Sequence, residues 1–144
     1  MTTWLVIGLA LAAAAAFLHR VLRGRGGSKV DVPTVTIEGP GDFDVEVVGE
    51  SHYQEALRGI VKGKGYVREQ YSARLICEDR NRHDSSAVRV DIMGRTVGYL
   101  PRSTAVEYRR AISSKGAGTA TGIVQAVICG GSAEKPSYGV WLDT

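Results

Sequence analysis

Residues 78–102 read EDRNRHDSSAVRVDIMGRTVGYLPR, and the fold follows from how this stretch is parsed. Residues 87–92 alternate apolar and polar side chains, as a half-buried strand does. Met93-Gly94-Arg95 fits a tight turn, and Val97 and Tyr99 lie on the returning strand. Before this hairpin runs a loop crowded with chargeable groups, and after it comes a compact Gly-Tyr-Leu-Pro-Arg turn. Small barrels build ligand sites this way, with a rigid sheet below and functional side chains on connecting loops.

Working outward, the pattern continues on both sides. Upstream, residues 72–80 have strand character, and Tyr53, Ala56, Leu57 and Ile60 share one face of a short helix that Ser51 can cap. Residues 35–38 and 45–48 are strand candidates separated by Gly39, Pro40, Gly41 and Asp42. Downstream, Pro101 suits a helix start, with Ser103 or Thr104 as cap and Ala105, Val106, Tyr108 and Ile112 as the apolar face; Gly116 and Gly118 end it. Residues 122–128 and 138–142 are two further strands. The order β-β-α-β-β-β-α-β-β predicts a mainly β fold, a small, strongly twisted, partly closed barrel with two short helices, because closure protects strand edges.

The first thirty residues differ from the rest. From Trp4 to Leu18 every residue is apolar or Gly, and the flank then turns basic with His19, Arg20, Arg23, Arg25 and Lys29. Fifteen helical residues reach about 22 Å against a hydrocarbon core of about 30 Å. Neighbouring residues and a snorkelling Arg20 extend the span. Residues 3–22 are therefore expected to form a single-pass transmembrane anchor, 23–33 a flexible basic linker, and 34–144 one domain. Cations after the apolar run place that domain in the cytoplasm, tethered to the cell membrane, and attract anionic lipid. The alternatives are an apolar helix packed on a partner and a secreted protein.

Charge is unevenly divided. Four of the eighteen Lys and Arg precede Asp31, leaving fourteen basic against fifteen acidic groups from Asp31 onward, a net of −1. Strong non-specific nucleic-acid binding by the whole domain surface is thereby disfavoured, while local basic patches remain compatible with the composition. Cys77 and Cys129 sit in apolar segments and read as buried thiols. No clustered histidines accompany them, so neither a metal nor a cofactor is expected.

The chain resembles the HIRAN domain, a small module found in some DNA-repair helicase-like ATPases. The resemblance rests on Val48-Gly49-Glu50-Ser51-His52-Tyr53 with Ala56-Leu57, on Glu78-Asp79-Arg80-Asn81-Arg82-His83-Asp84, on Ala87-Val88-Arg89-Val90, and on Val97-Gly98-Tyr99-Leu100-Pro101-Arg102. It runs over roughly residues 45–142. It implies an OB-like barrel that captures the 3′ end of single-stranded DNA between the loop after the first main strand and the Asn-to-Asp loop. Matching positions are Ser51, His52 and Tyr53, then His83 and Asp84, then Tyr99 and Arg102. The family site has Arg, Tyr and Tyr where this chain has Ser51, His52 and His83.

Residue chemistry can be weighed separately. Tyr99, His52 and His83 offer ring faces on which bases stack, at about 1–3 kcal/mol per base for good aromatics. Asp84 can accept a hydrogen bond from a terminal hydroxyl, and Arg102 can pair with phosphate through two donors. Arg80 and Arg82 supply a local positive rim. Each residue also has a structural alternative: Asn81 and Asp84 as turn formers, Tyr99 as core, His52 and Arg102 as exposed surface. Arg109 and Arg110 read as solvated helix surface. With no Gly-rich phosphate loop and no assembled nucleophile, base or metal set, the chain reads as a non-catalytic module. The leading expectation is a membrane-tethered binder of a single-stranded DNA or RNA end. The alternative is a scaffolding module at the membrane that binds an unidentified protein.

Overall fold

The computed structural model describes residues 32–63 and 65–144. The expected anchor at 3–22 and most of the linker lie outside the described residues, among which no helix is long and apolar enough to cross a membrane. The elements are β1 (Thr34–Thr36), β2 (Val45–Glu46), a 3-10 turn (Glu50–His52), α1 (Gln54–Ile60), β3 (Val67–Cys77), β4 (Val88–Ile92), β5 (Arg95–Tyr99), α2 (Arg102–Ser114), β6 (Thr121–Gly130) and β7 (Tyr138–Asp143). The fold is mainly β with two helices, in the order expected.

The strands form one sheet in the order β2-β7-β6-β3-β4-β5, with β1 parallel to the first residues of β6. β3 is its spine, antiparallel to β6 on one side and β4 on the other. Ala73 and Leu75 point inward, while Arg68, Gln70, Ser72 and Arg74 are exposed between inward neighbours. β3 begins five residues before the expected 72–80, because the polar side chains of its first half sit on the solvent face and mask the pattern. It also stops at Cys77. There the Glu78 N–H bonds the Ala87 carbonyl at 3.0 Å and the chain enters the loop.

The β4–β5 turn has Met93 and Gly94 both at positive φ, 50° and 73°. This suits a two-residue turn whose twist matches that of the strands. Opposite the next pairs, the register slips at Val90 and Asp91, a bulge beside Gly98, whose φ is 154°. Bulges bend and twist a strand. The bend brings the end of β5 against the chain leaving β2. Val48 and Tyr99 exchange both backbone hydrogen bonds, at 2.8 and 2.9 Å, while the Val47 N–H bonds Val140 of β7. One short segment thus joins the two ends of the sheet, which curls around a core that includes Leu57, Leu75, Ile92, Val97, Val124 and Leu142.

Helix α1 has seven residues, too few to persist alone. It holds by burying Leu57 and Ile60, at about 1.5–3 kcal/mol each. Gln54 adds an anchor: its amide accepts from the Tyr138 N–H at 2.9 Å and donates to the Tyr138 carbonyl at 2.8 Å. The expected caps are not used. Ser51 lies within the 3-10 turn and Tyr53 precedes α1 without a side-chain cap; Pro101 precedes α2, so Ser103 and Thr104 fall inside its first turn. Packing of α2 through Ala105, Tyr108 and Ile112 takes over what a cap would contribute.

Candidate nucleic-acid interface

Barrel closure creates the main cleft. Where the Val48 segment meets β5, the β3–β4 loop and the first turns of α2 converge around a cavity of about 430 Å³. Val48, Tyr53, Tyr99, Leu100, Ala87 and Ala105 supply its apolar wall, and Asn81, His83, Asp84 and Arg102 its polar side. Five of the residues singled out in the sequence meet here: Tyr53, His83, Asp84, Tyr99 and Arg102. Four do not. Ser51 and His52 are exposed on the 3-10 turn, Arg80 borders a neighbouring hollow with Glu78 and Asp79, and Arg82 is exposed on the loop.

The loop that carries Asp84 is held by its own turn chemistry. Asn81 Oδ1 accepts the N–H groups of His83 and Asp84 at 2.9 and 3.1 Å, and Asp84 Oδ1 accepts that of Ser86 at 2.8 Å. Asn81 therefore plays the structural part its residue type suggests, yet it also lines the cleft. Asp84 keeps its second oxygen, Oδ2, 3.6 Å from the Arg102 Nε. Arg102 is 83 % exposed, so this pair is solvent-screened and contributes at most about 1 kcal/mol. Its guanidinium is open to a ligand at the cleft mouth.

Arg109 corrects the sequence reading. Its side chain is mostly buried against the loop, donating from Nε to the Ser86 carbonyl and from Nη2 to that of Ala87, both at 2.9 Å, and pairing with Asp79 at 2.6 Å. Solvated surface was expected because Arg109 sits beside the exposed Arg110 on α2. Only the fold brings the β3–β4 loop across that helix face.

Behind the cleft lies a charged network that no motif announces. Arg89 bridges Glu78 at 2.9 Å and both oxygens of Asp91 at 2.9 and 3.1 Å, and Thr96 donates to Asp91. Glu78 Oε2 accepts from Asn81 at 2.9 Å and from the Tyr99 hydroxyl at 3.3 Å. Burial pushes the Glu78 carboxyl upward, but the hydrogen bonds from Asn81 and Arg89 outweigh it and hold the group below its ordinary range. Burial, the Tyr53 hydroxyl and the Glu78 charge raise the Tyr99 phenol to about 12. With its hydroxyl tied to Glu78, Tyr99 offers the cleft its ring, 6.5 Å from that of Tyr53 and tilted by 48°.

The arrangement combines aromatic faces, a carboxylate acceptor and an exposed guanidinium beside the N-terminal end of α2. The unpaired N–H groups of a helix's first turn favour an anion there. Residues 40–128 match the family model of the HIRAN domain, more than half of the chain. The chain belongs to the HIRAN domain family. The HIRAN domain is a nucleic-acid-binding module, and the match takes in every residue of the cleft. It ends within β6, so β7, which pairs with both β6 and β2, lies beyond the matched stretch. No curated protein and no solved structure was found to match this HIRAN chain.

Proposed function

We propose that this HIRAN domain, through an OB-like barrel, binds the 3′-terminal nucleotide of a single strand in the cleft between Tyr53, Tyr99, Asp84 and Arg102. One observation carries the reading: a single cavity gathers two aromatic rings, an acceptor oxygen engaged only by a weak, solvent-screened ion pair, and an exposed cation. A terminal base stacks against the rings. Asp84 Oδ2 accepts the terminal hydroxyl, which distinguishes an end from a continuous backbone. Arg102 exchanges its weak pairing with Asp84 for the phosphate. Arg80 and Arg82 lie outside the cleft lining and act as a positive approach, while Ser51 and His52 are exposed on the 3-10 turn that precedes Tyr53.

Fluorescence anisotropy of the chain with short strands bearing a free or a blocked 3′ hydroxyl tests the proposal. Tighter binding of the free end, lost in Asp84→Asn, is expected; equal affinity for both ends and for duplex sinks it.

A second reading, a scaffolding module that takes a protein segment, draws support from the 44 % exposed Val48 beside Leu100 and Ala87 in a cleft whose cation faces its own carboxylate. Binding insensitive to salt and to strand polarity favours it. We also propose that residues 3–22 tether the domain at a membrane, its cytoplasmic side set by Arg20, Arg23, Arg25 and Lys29; support for this is the apolar run and its basic flank alone. Protease digestion of the domain from outside intact cells overturns that topology.

A further inference from the structure

We propose that a second cleft, on the outer face of the sheet, is a stacking subsite for an internal nucleotide of the same single strand whose end the main cleft takes. It rests on that reading. The cleft is about 350 Å³ and is lined by Phe43, Tyr66, Trp141, Arg68 and Asp42 among others, none of which belongs to the main cleft.

The aromatic side chains are built in place. The Trp141 indole lies over Gly139, where an added Cβ would come 2.7 Å from the ring, so one face is pinned to the sheet. The Lys135 ammonium sits 4.9 Å from the ring centroid. Phe43 is held at φ 48°, a left-handed conformation that bulky residues seldom adopt. Its loop is strapped down by the buried Asp143, whose Oδ1 accepts the N–H groups of Gly41 at 2.7 Å and Asp42 at 3.1 Å. Tyr66 is 67 % exposed beside them, an apolar surface the fold leaves unburied.

The aromatic rings have cations beside them. Arg68, exposed and touching Cys129 Sγ at 3.3 Å, shares the lining with the carboxylate of Asp42, and Lys135 lies over the Trp141 ring. Aromatic faces beside cations suit a base and its phosphate, with little regard to sequence. A stacked base is worth between about fivefold and about 150-fold in affinity. An exposed cation–π contact is worth about twofold to fivefold. A base therefore displaces the Lys135 ammonium from the Trp141 ring, leaving it beside the phosphate. The two clefts are also close: Phe43 and Val48 are five steps apart along the chain, which span at most about 18 Å.

The test compares 3′-hydroxyl strands of two nucleotides and of about ten nucleotides by fluorescence anisotropy on the 144-residue chain. The longer strand is expected to bind tighter. Tyr66→Ala and Arg68→Gln, both at exposed positions that leave folding intact, should weaken it about fivefold or more while sparing the short one. Variants that leave the length advantage unchanged overturn the subsite, as does equal affinity of the wild type for both lengths. If the wild type binds neither, this inference and the end-binding reading both fall. A long strand that depends on Tyr66 yet shows no preference for a free 3′ end retains the subsite and removes end recognition.

Discussion

Arg109→Ala tests whether the β3–β4 loop is held from α2. The guanidinium satisfies two backbone carbonyls, of Ser86 and Ala87, and pairs with an Asp79 side chain that is 78 % exposed. The Asp79 pair is worth little, at most about 1 kcal/mol. Hydrogen bonds from a charged donor each contribute about 1.5–3 kcal/mol when buried, and water replaces part of that at this half-buried site. The expected loss is therefore about 2–3 kcal/mol. A domain with a typical stability of about 5–15 kcal/mol survives it folded. Urea denaturation should show a lower midpoint with an unchanged slope, and hydrogen exchange should accelerate at the amides of His83, Asp84 and Ser86. Arg109→Lys, which keeps the charge but lacks the rigid fork of the guanidinium, should fall between. A midpoint shift equivalent to less than about 0.5 kcal/mol, the range of an ordinary surface substitution, with unchanged loop exchange, would refute the reasoning.

Other expectations follow from the same geometry. The depressed Glu78 carboxyl stabilises the fold above the ordinary carboxylate range and loses that contribution as pH falls through its lowered value; Glu78→Gln should therefore flatten the acid limb of a stability–pH curve below about pH 4.3. Tyr71, Tyr99 and Tyr108, raised to about 12, favour the fold as neutral phenols below about pH 10 and lose this as pH rises through about 12, so an ultraviolet titration should show a tyrosine phase near that value. Gly94→Ala places a Cβ in open space at φ 73° and should cost only the left-handed backbone penalty, about 1–2 kcal/mol by thermal melting. Gly98→Ala should cost clearly more, because its Cβ would meet Val47 and lie 2.6 Å from the Val48 carbonyl, opening the closure; equal melting temperatures for the two variants would contradict that. Asp84→Asn keeps the Ser86 contact and should shift stability by less than about 1 kcal/mol, so a larger loss points to a structural role instead.

The hairpin was legible because Met93-Gly94 between alternating strands is local chemistry, as were the two helices from the spacing of their apolar faces. The start of β3 was not, since Arg68 and Gln70 look like loop until their inward neighbours are paired with β6. Of the site, Asp84, Tyr99 and Arg102 were legible from their motifs, and Asn81 was seen as a turn former. Gln54 and Arg109 were not, because each bonds backbone far away in sequence: Tyr138 in one case, Ser86 and Ala87 in the other. No spacing rule reports such partners.

By itself the sequence determined the order of elements, the positions of the turns, the near-neutral charge of the domain and the residue types that resemble a HIRAN site. Those depend on local propensity and composition. Tertiary structure alone decided that Val48 would bond Tyr99 and join the sheet's ends, that Ser51 and His52 would stay exposed outside the cleft lining while Tyr53 enters it, and that Glu78 would hold the Tyr99 hydroxyl while Tyr99 lines the cleft. These depend on closure, bulge and register, which are properties of paired strands and are written in no single stretch of the chain.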